Sequence, residues 1–554
     1  MPSNESILKI HPSDNVAVAL TDLRKGETVK LNDTGYLLIN DIPAKHKFML
    51  SDVPQEGEII MYGVLVGKAM QPIQKGGLIT TQNIRHAAGG YGLKERKTTW
   101  HRPDISNWKE RTFMGYHRAD GAVGTANHWV VIPLVFCENK NVEVLQEAFM
   151  KALGYEPSQS PYQAMVKQLV DLHQSGSNET EILAADISID KLIEQHQTKI
   201  FPNIDGIKFL THTLGCGGTR QDAGALCGLL AGYITHPNVA GATVLSLGCQ
   251  NAQVSILKDE ITKRDPHFAK PLVILEQQQV GNEQQLLQEA IRQTFSGLVT
   301  ANKLKRSPAL LNKLCIGLEC GGSDGFSGIS ANPAIGYTSD LLVALGGSVV
   351  LSEFPELCGV EQELSDRCID EATAKRFMEL MSVYNEKAVA AGSGFYANPS
   401  PGNIRDGLIT DAIKSAGAAK KGGTSPVTDV LDYPEKLKKT GLNLLCTPGS
   451  DIESTTAEVG AGANIVLFTT GLGTPTGNPI APVLKLSSNS KLFKKMNDII
   501  DIDTGTIIGG IETIEQAGER ILEHVIKVAS GEEKAKADAL HHDDFIPWKR
   551  GISL

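Results

Sequence analysis

Two cysteine-glycine-glycine turns constrain this chain most: Leu214-Gly215-Cys216-Gly217-Gly218-Thr219 and Leu318-Glu319-Cys320-Gly321-Gly322-Ser323. Each follows an apolar run that predicts a strand, over 207–210 and 314–318, and each precedes a segment able to open a helix. Glycine lets a backbone turn sharply and approach a ligand closely, so its N–H groups can surround an anion. Cysteine puts a thiolate or metal ligand at the same point. The pair points to a small, negatively charged substrate handled at strand ends. Gly217, Gly218, Thr219, Gly321, Gly322 and Ser323 are the expected backbone cradle.

With 554 residues the chain is too long for one core, and three or four domains are expected. Residues 1–90 read as a compact β-rich module, with short apolar runs at 7–10, 16–20, 36–39 and 58–66 separated by turns. Residues 91–111 read as a linker. Over 112–300, apolar strands (129–136, 207–210, 242–247, 272–275) alternate with helical stretches, and a polar, mainly helical stretch at 158–196 reads as an insertion. Over 301–554 the strand, Cys-Gly-Gly turn and helix recur, followed by strands at 348–351, 442–446 and 465–468. The stretch 420–440 reads as a surface excursion. A closing helix carries Ile514, Ala517, Ile521, Leu522, Val525 and Val528 on one face, with Gly531 as its cap. Alternating strands and helices imply parallel α/β sheets, whose ligands gather at the carboxyl ends of the strands.

Composition narrows the function. The chain is 41% hydrophobic and 21% charged with a formal net charge of -10, which argues against nucleic-acid binding. No run approaches the ~18 apolar residues of a membrane span, and the first residues do not read as a secretory signal. Nine cysteines spread along the chain do not form a secreted disulfide framework, so a cytoplasmic protein is expected.

The densest chemical segment is Gly115 to Asn127, where His117, Arg118 and Asp120 bring a base, a fixed cation and an acid into four positions before a strand. Arginine can clamp a carboxylate, and histidine moves protons near neutral pH. The alternative is a turn braced by an Arg–Asp pair. Cys216, Cys249 and Cys320 each end a predicted strand and are candidate metal ligands, although single cysteines also serve as small buried residues. His212 is a base or ligand candidate, and Glu319 and Asp324 are acid or ligand candidates. Asp451 and Glu453 are oxygen-ligand candidates that could equally be helix-start acids. His11, Asp14 and His46 form a second metal possibility. Asn478 and Lys485 lie in or beside a proline-rich loop, where they could meet substrate or only stiffen a junction. No phosphate loop or dinucleotide fingerprint occurs.

His117 to Thr125, His11 to Asn15, the Cys-Gly-Gly turns, Asn398 to Asn403, Thr469 to Pro475 and Phe545 to Trp548 together resemble the altronate/galactarate dehydratase family, in order and over nearly the whole chain. The pattern is more similar to the altronate branch. The resemblance implies an N-terminal SAF-type β-clip domain, two further α/β catalytic domains and a divalent metal, usually iron(II), with manganese as alternative. It also implies removal of water from a sugar acid to give a 2-keto-3-deoxy acid, in the galacturonate route for altronate. Its expected partner is a small sugar acid, with a homo-oligomer left open. Another sugar acid such as galactarate, handled by the same machinery, is the nearest alternative; a carbon–sulfur lyase of the sulfolactate type is the chemically distinct rival, and a non-enzymatic sugar-acid regulator a weaker one. Where many relatives carry two histidines, this chain has Ile79-Thr80-Thr81-Gln82-Asn83, and His86 is a poor substitute by position.

Such a reaction needs a carboxylate anchor, a base, an acid and a Lewis acid. Removing the proton beside a carboxylate builds charge that positive centres must absorb, and the leaving hydroxyl needs assistance. Arg118 with the glycine turns, His117 or His212, and Asp120, Glu319 or Asp324 are the residues on which these roles would fall.

Overall fold

The computed structural model describes residues 6–156, 161–187 and 198–554. The 158–196 insertion therefore lies partly outside the described residues; within them it forms helices Pro161–Gln174 and Glu179–Ala184.

The front module, through residue 87, is built only of short antiparallel strands, as expected. Its strands alternate between a small interior around Ile7, Ala17, Leu38 and Phe48 and a second apolar face. That second face, with Val16, Met49, Met61 and Val66, joins the core of the last domain rather than meeting water.

The middle domain has a parallel sheet of β1 (His128–Pro133), β2 (Gly206–Phe209), β3 (Val239–Ser246) and β4 (Leu272–Glu276), in the order β2-β1-β3-β4. Every residue of β3 is buried, as a strand covered on both faces requires. Helix α1 (Arg220–Thr235) starts directly after the first Cys-Gly-Gly turn, with Thr219 as its N-cap.

The last domain has seven parallel strands: β5 (Cys315–Cys320), β6 (Ser348–Leu351), β7 (Val427–Asp432), β8 (Gly441–Cys446), β9 (Ile465–Thr470), β10 (Val483–Ser487) and β11 (Ile502–Asp503). Their order is β7-β8-β6-β5-β9-β10-β11. The chain leaves β5 towards β6 and later returns to its other side as β9. The topological switch point therefore falls between β5 and β9, at the second Cys-Gly-Gly turn. The elements α2 (Ala331–Ala344), α3 (Asp411–Ala418), α4 (Asp451–Ala461) and α5 (Ile514–Ser530) are its helices of interest. The α5 helix buries the expected stripe and ends at Gly531 in the left-handed conformation.

One of the two connector expectations changes. The 91–111 segment is strapped along the last domain, with Lys97 N–H donating to Asp366 O (2.6 Å) and Trp100 Nε1 to Thr424 Oγ1 (3.1 Å). The 420–440 stretch is not a surface excursion: Lys421 is fully buried, and Val427–Asp432 forms the edge strand β7.

Candidate active site

At the carboxyl end of β5, Cys320 stands among acids supplied by neighbouring strands. Its Sγ lies 3.4 Å from Glu353 Oε2 and 3.2 Å from Glu356 Oε2, and its N–H donates to Glu353 at 3.1 Å. The ligand atoms of Cys320, Glu353 and Glu356 all fall within 4.8 Å of one another. Glu353 follows β6 and takes a left-handed backbone (φ 61°), which a non-glycine residue adopts only under constraint. Thr447 Oγ1, just past β8, accepts its N–H at 2.8 Å.

Two buried lysines answer these acids. Lys421 Nζ bonds Glu353 at 2.6 Å; Lys414 Nζ, from α3, bonds Glu356 at 2.5 Å and Asn398 Oδ1 at 2.8 Å. Burial works against the Lys421 ammonium, yet the Cys320 sulfur and the surrounding carboxylates raise its pKa. Lys414 is raised in the same way by Glu356. Both lysines are therefore fixed cations. Burial pushes Glu319 well up, helped by Glu353 and Glu458; burial likewise takes Glu458 to about 8. Asp451, at the start of α4, is raised to about 7 by burial and by Glu353 and Glu356. A Cβ on Gly321 would overlap Asp451 Oδ2, so glycine there is what admits that carboxyl group.

The balance is four buried glutamates plus Asp451 against two lysines. Glu319 faces Glu353 carboxyl to carboxyl. Glu319 Oε1, Glu353 Oε1 and Glu458 Oε2 receive no hydrogen bond from a donor. Facing carboxyl groups meet only by sharing a proton or a cation. A thiol with two carboxylates is a donor set for a divalent transition metal rather than for magnesium or calcium, which prefer all-oxygen shells. The residues present fit such an ion.

Other expected site residues stand elsewhere. His117, Arg118 and Asp120 are not at the carboxyl ends. Arg118 Nε bonds Pro237 O (2.7 Å), just before β3, and Thr125 Oγ1 bonds Asn464 O (2.7 Å), just before β9. The segment therefore lies at the amino ends of both sheets, separated from Cys320 by the ~20 Å length of a six-residue strand. His117 is exposed against Pro308 O, and Asp120 Oδ1 accepts its own turn's Ala122 N–H. His212 is a structural group: Nδ1 accepts the Leu214 N–H, so Nε2 donates to Pro133 O at 2.7 Å, and burial lowers its pKa to about 4. Asp324 is saturated by Phe326 and Ser327 N–H groups, the Ser327 and Ser488 hydroxyls and Lys45, so it holds a loop and a domain contact.

Gly321 and Gly322 follow Cys320, but the Gly321 N–H is taken by Thr469 O and is not free for an anion. Ser323 is buried, with its carbonyl bonded by Asn403. Gly217 and Gly218 form the other turn, packed beneath the backbone of Leu554 and Ile552, and the Thr219 hydroxyl caps α1. Asn478 bonds the Tyr233 hydroxyl at 2.9 Å and joins the two α/β domains. Lys485 is buried against Thr476 O, near Asp501, with its pKa lowered to about 8 by burial. His11, Asp14 and His46 do not form a ligand set: Asp14 accepts the His11 and Gly63 N–H groups, while His46 Nε2 faces Arg405 O. His86, discounted by position, instead meets Asp411 and Cys358 in a second compact trio. Cys216 and Cys249 each lie near Cys137 rather than Cys320.

Three family models tile the chain: the altronate/galactarate dehydratase SAF domain over 5–87, the D-galactarate dehydratase/altronate hydrolase second domain over 115–302, and the D-galactarate/altronate dehydratase C-terminal domain over 311–553. The chain is 34% identical to altronate dehydratase of Escherichia coli (strain K12) over 99% of each chain. This chain belongs to the altronate/galactarate dehydratase family. It is 33% identical to altronate dehydratase of Bacillus subtilis (strain 168), over 99% of this chain and all of that one. It is 31% identical to galactarate dehydratase (L-threo-forming) of E. coli, over 96% and 94%. As a member, it is a hydro-lyase with an N-terminal SAF domain. Among the described residues no helix is long and apolar enough to cross a membrane.

Sequence reasoning missed Glu353, Glu356, Lys414 and Lys421. Each belongs to a different loop or helix, and a buried charge carries no local periodicity. Only the left-handed Glu353, just past a strand, sits where a strand-end rule could have found it.

Proposed function

We propose that this chain dehydrates D-altronate to 2-keto-3-deoxy-D-gluconate, with a divalent metal, iron(II) or alternatively manganese, held by Cys320, Glu353 and Glu356. The observation carrying this reading is the buried excess of carboxyl groups around Cys320, at the switch point of a parallel sheet. Full-length likeness to two altronate dehydratases supports the substrate.

When bound, the metal supplies a Lewis acid for the substrate's carboxylate and hydroxyl oxygens. The chain's own groups do the rest. Lys414 and Lys421 stay charged and offset the negative charge that grows as the proton beside the carboxylate leaves. Asp451, titrating near 7, is suited to take that proton and to return one to the departing hydroxyl. Burial holds the Glu319 carboxyl group well above its usual range and the Glu458 group up to about 8, which limits the repelling charge in the pocket.

The test is metal-free protein reloaded with iron(II), manganese, magnesium or zinc and offered a panel of aldonates and aldarates while keto-deoxy product is followed. Product from altronate with iron or manganese is expected, falling by at least about a hundredfold in Glu356→Gln. Product from galactarate alone would move the substrate to an aldarate, and no product from any acid would end the proposal.

A further inference from the structure

Three of the nine cysteines are exposed, Cys137, Cys216 and Cys249, and the other six are buried or half-buried. Cysteine is among the most buried residue types, so three exposed ones need a reason. They share one place. β2, β1 and β3 are adjacent, and Cys216, Cys137 and Cys249 stand just past their respective carboxyl ends. The three loops are stitched by backbone hydrogen bonds: Phe136 N–H to Leu214 O (3.0 Å), Leu134 N–H to Leu245 O (2.7 Å) and Ala252 N–H to Gly215 O (3.1 Å). The turns are fixed by glycine: Gly215 has φ 101° and a Cβ there would overlap Leu134 O, and Gly248 has φ 123°. The Cys137 thiol is close enough to the Cys216 and Cys249 thiols for both to act on it, although the three sulfurs do not all fall within 4.8 Å of one another. No disulfide joins them.

We propose that Cys137, Cys216 and Cys249 ligate an iron–sulfur cluster of the four-iron type, leaving one iron without a protein ligand. Thiolate-only donors select soft metals and iron–sulfur centres, and each thiol gives up its proton on ligation. A single tetrahedral ion with metal–sulfur bonds of about 2.3 Å would hold its sulfurs about 3.8 Å apart. The three cysteines are more widely spread than the ligand atoms of Cys320, Glu353 and Glu356, which fall within 4.8 Å. That spread suits a cluster several ångström across. The fourth iron would face the open side of the turn, where a hydroxyl, carboxylate or water can reach it. This site is separate from the Cys320 pocket and does not rest on the substrate assigned above.

The test is the full-length chain incubated anaerobically with ferrous iron and inorganic sulfide, then desalted. Iron and acid-labile sulfide are counted per chain, and the reduced sample is examined by electron paramagnetic resonance. The expected result is about four labile sulfides per chain with a cluster signal, and an iron count that exceeds the sulfide count by the ion assigned to the Cys320 pocket. Cys137→Ser, Cys216→Ser and Cys249→Ser should each cut labile sulfide by more than the roughly tenfold that loss of an outer-shell partner costs, with circular dichroism unchanged. Cys227→Ser and Glu356→Gln should leave the sulfide count intact. Iron retained without sulfide, or sulfide retained in the three serine variants, would overturn the assignment.

Discussion

The fold moves the Asp451 carboxyl group into a working range for proton transfer. That group is raised from 3.8 to about 7, chiefly by burial and then by Glu353 and Glu356. A raised acid stabilises the fold relative to its ionised form only while protonated. The penalty therefore starts near pH 4 and is complete above about 7. Asp451→Asn should gain stability over the parent between pH 4 and 7 and keep that gain at pH 8, as urea denaturation at both ends would show. The same variant should lose at least about a hundredfold in turnover, together with the pH limb near 7. Lys47 gives the opposite sign. Burial lowers its pKa from 10.5 to about 7 against the opposing pull of Asp324, and its Nζ donates to Gly407 O at 2.6 Å. The unfolded chain binds more protons between those values, so Lys47 costs most below pH 7. Lys47→Met should be most favourable relative to the parent at pH 6, and the advantage should shrink towards pH 10 in the same denaturation assay. Neither residue had a sequence signal of this kind. A buried lysine on a strand reads like any surface lysine until its surroundings are known.

At the scale of elements, two helices decide how the α/β domains meet. In α1, a Cβ on Gly232 would stand 2.2 Å from Gly460 O in α4, so the helices touch backbone to backbone. Gly232→Ala should push them apart and cost about 1–3 kcal/mol in chemical denaturation, even though alanine is the better helix former. The closing Phe545-Ile546-Pro547-Trp548 segment seals the same junction. Phe545 packs edge-on against Tyr233 (4.9 Å), and Trp548 packs against Tyr433 and Tyr384. Much at this scale was legible, because strand, Cys-Gly-Gly turn and helix follow local rules of periodicity and turn chemistry. The placement of His117 to Asp120 was legible too, and was read against the rule. A loop that precedes β1 must lie at its amino end, whereas ligands in such sheets gather at the other end. The Cys320 pocket was only half legible, since Cys320 and Glu319 are local to a turn but Lys414 and Lys421 arrive from α3 and the segment just after it.

At the scale of the whole molecule, the front module attaches through side chains and an apolar face. Lys45 bridges Asp324 (3.0 Å) and Asp406 (2.8 Å), Lys47 reaches Gly407, and Gly328 admits the Tyr62 hydroxyl. Among the described residues no strand ladder runs from this module into either parallel sheet. Lys45→Ala should loosen the contact, seen as faster proteolysis within 88–111 with little change in secondary structure. The order of domains was legible from composition and turn spacing, but this docking was not, because it pairs residues some 360 positions apart.

Contact without shared strands makes the front module a resident subunit that happens to be tethered. The 88–111 strap then sets local concentration, not shape, and a chain severed there would reassemble as two polypeptides whose association falls with dilution.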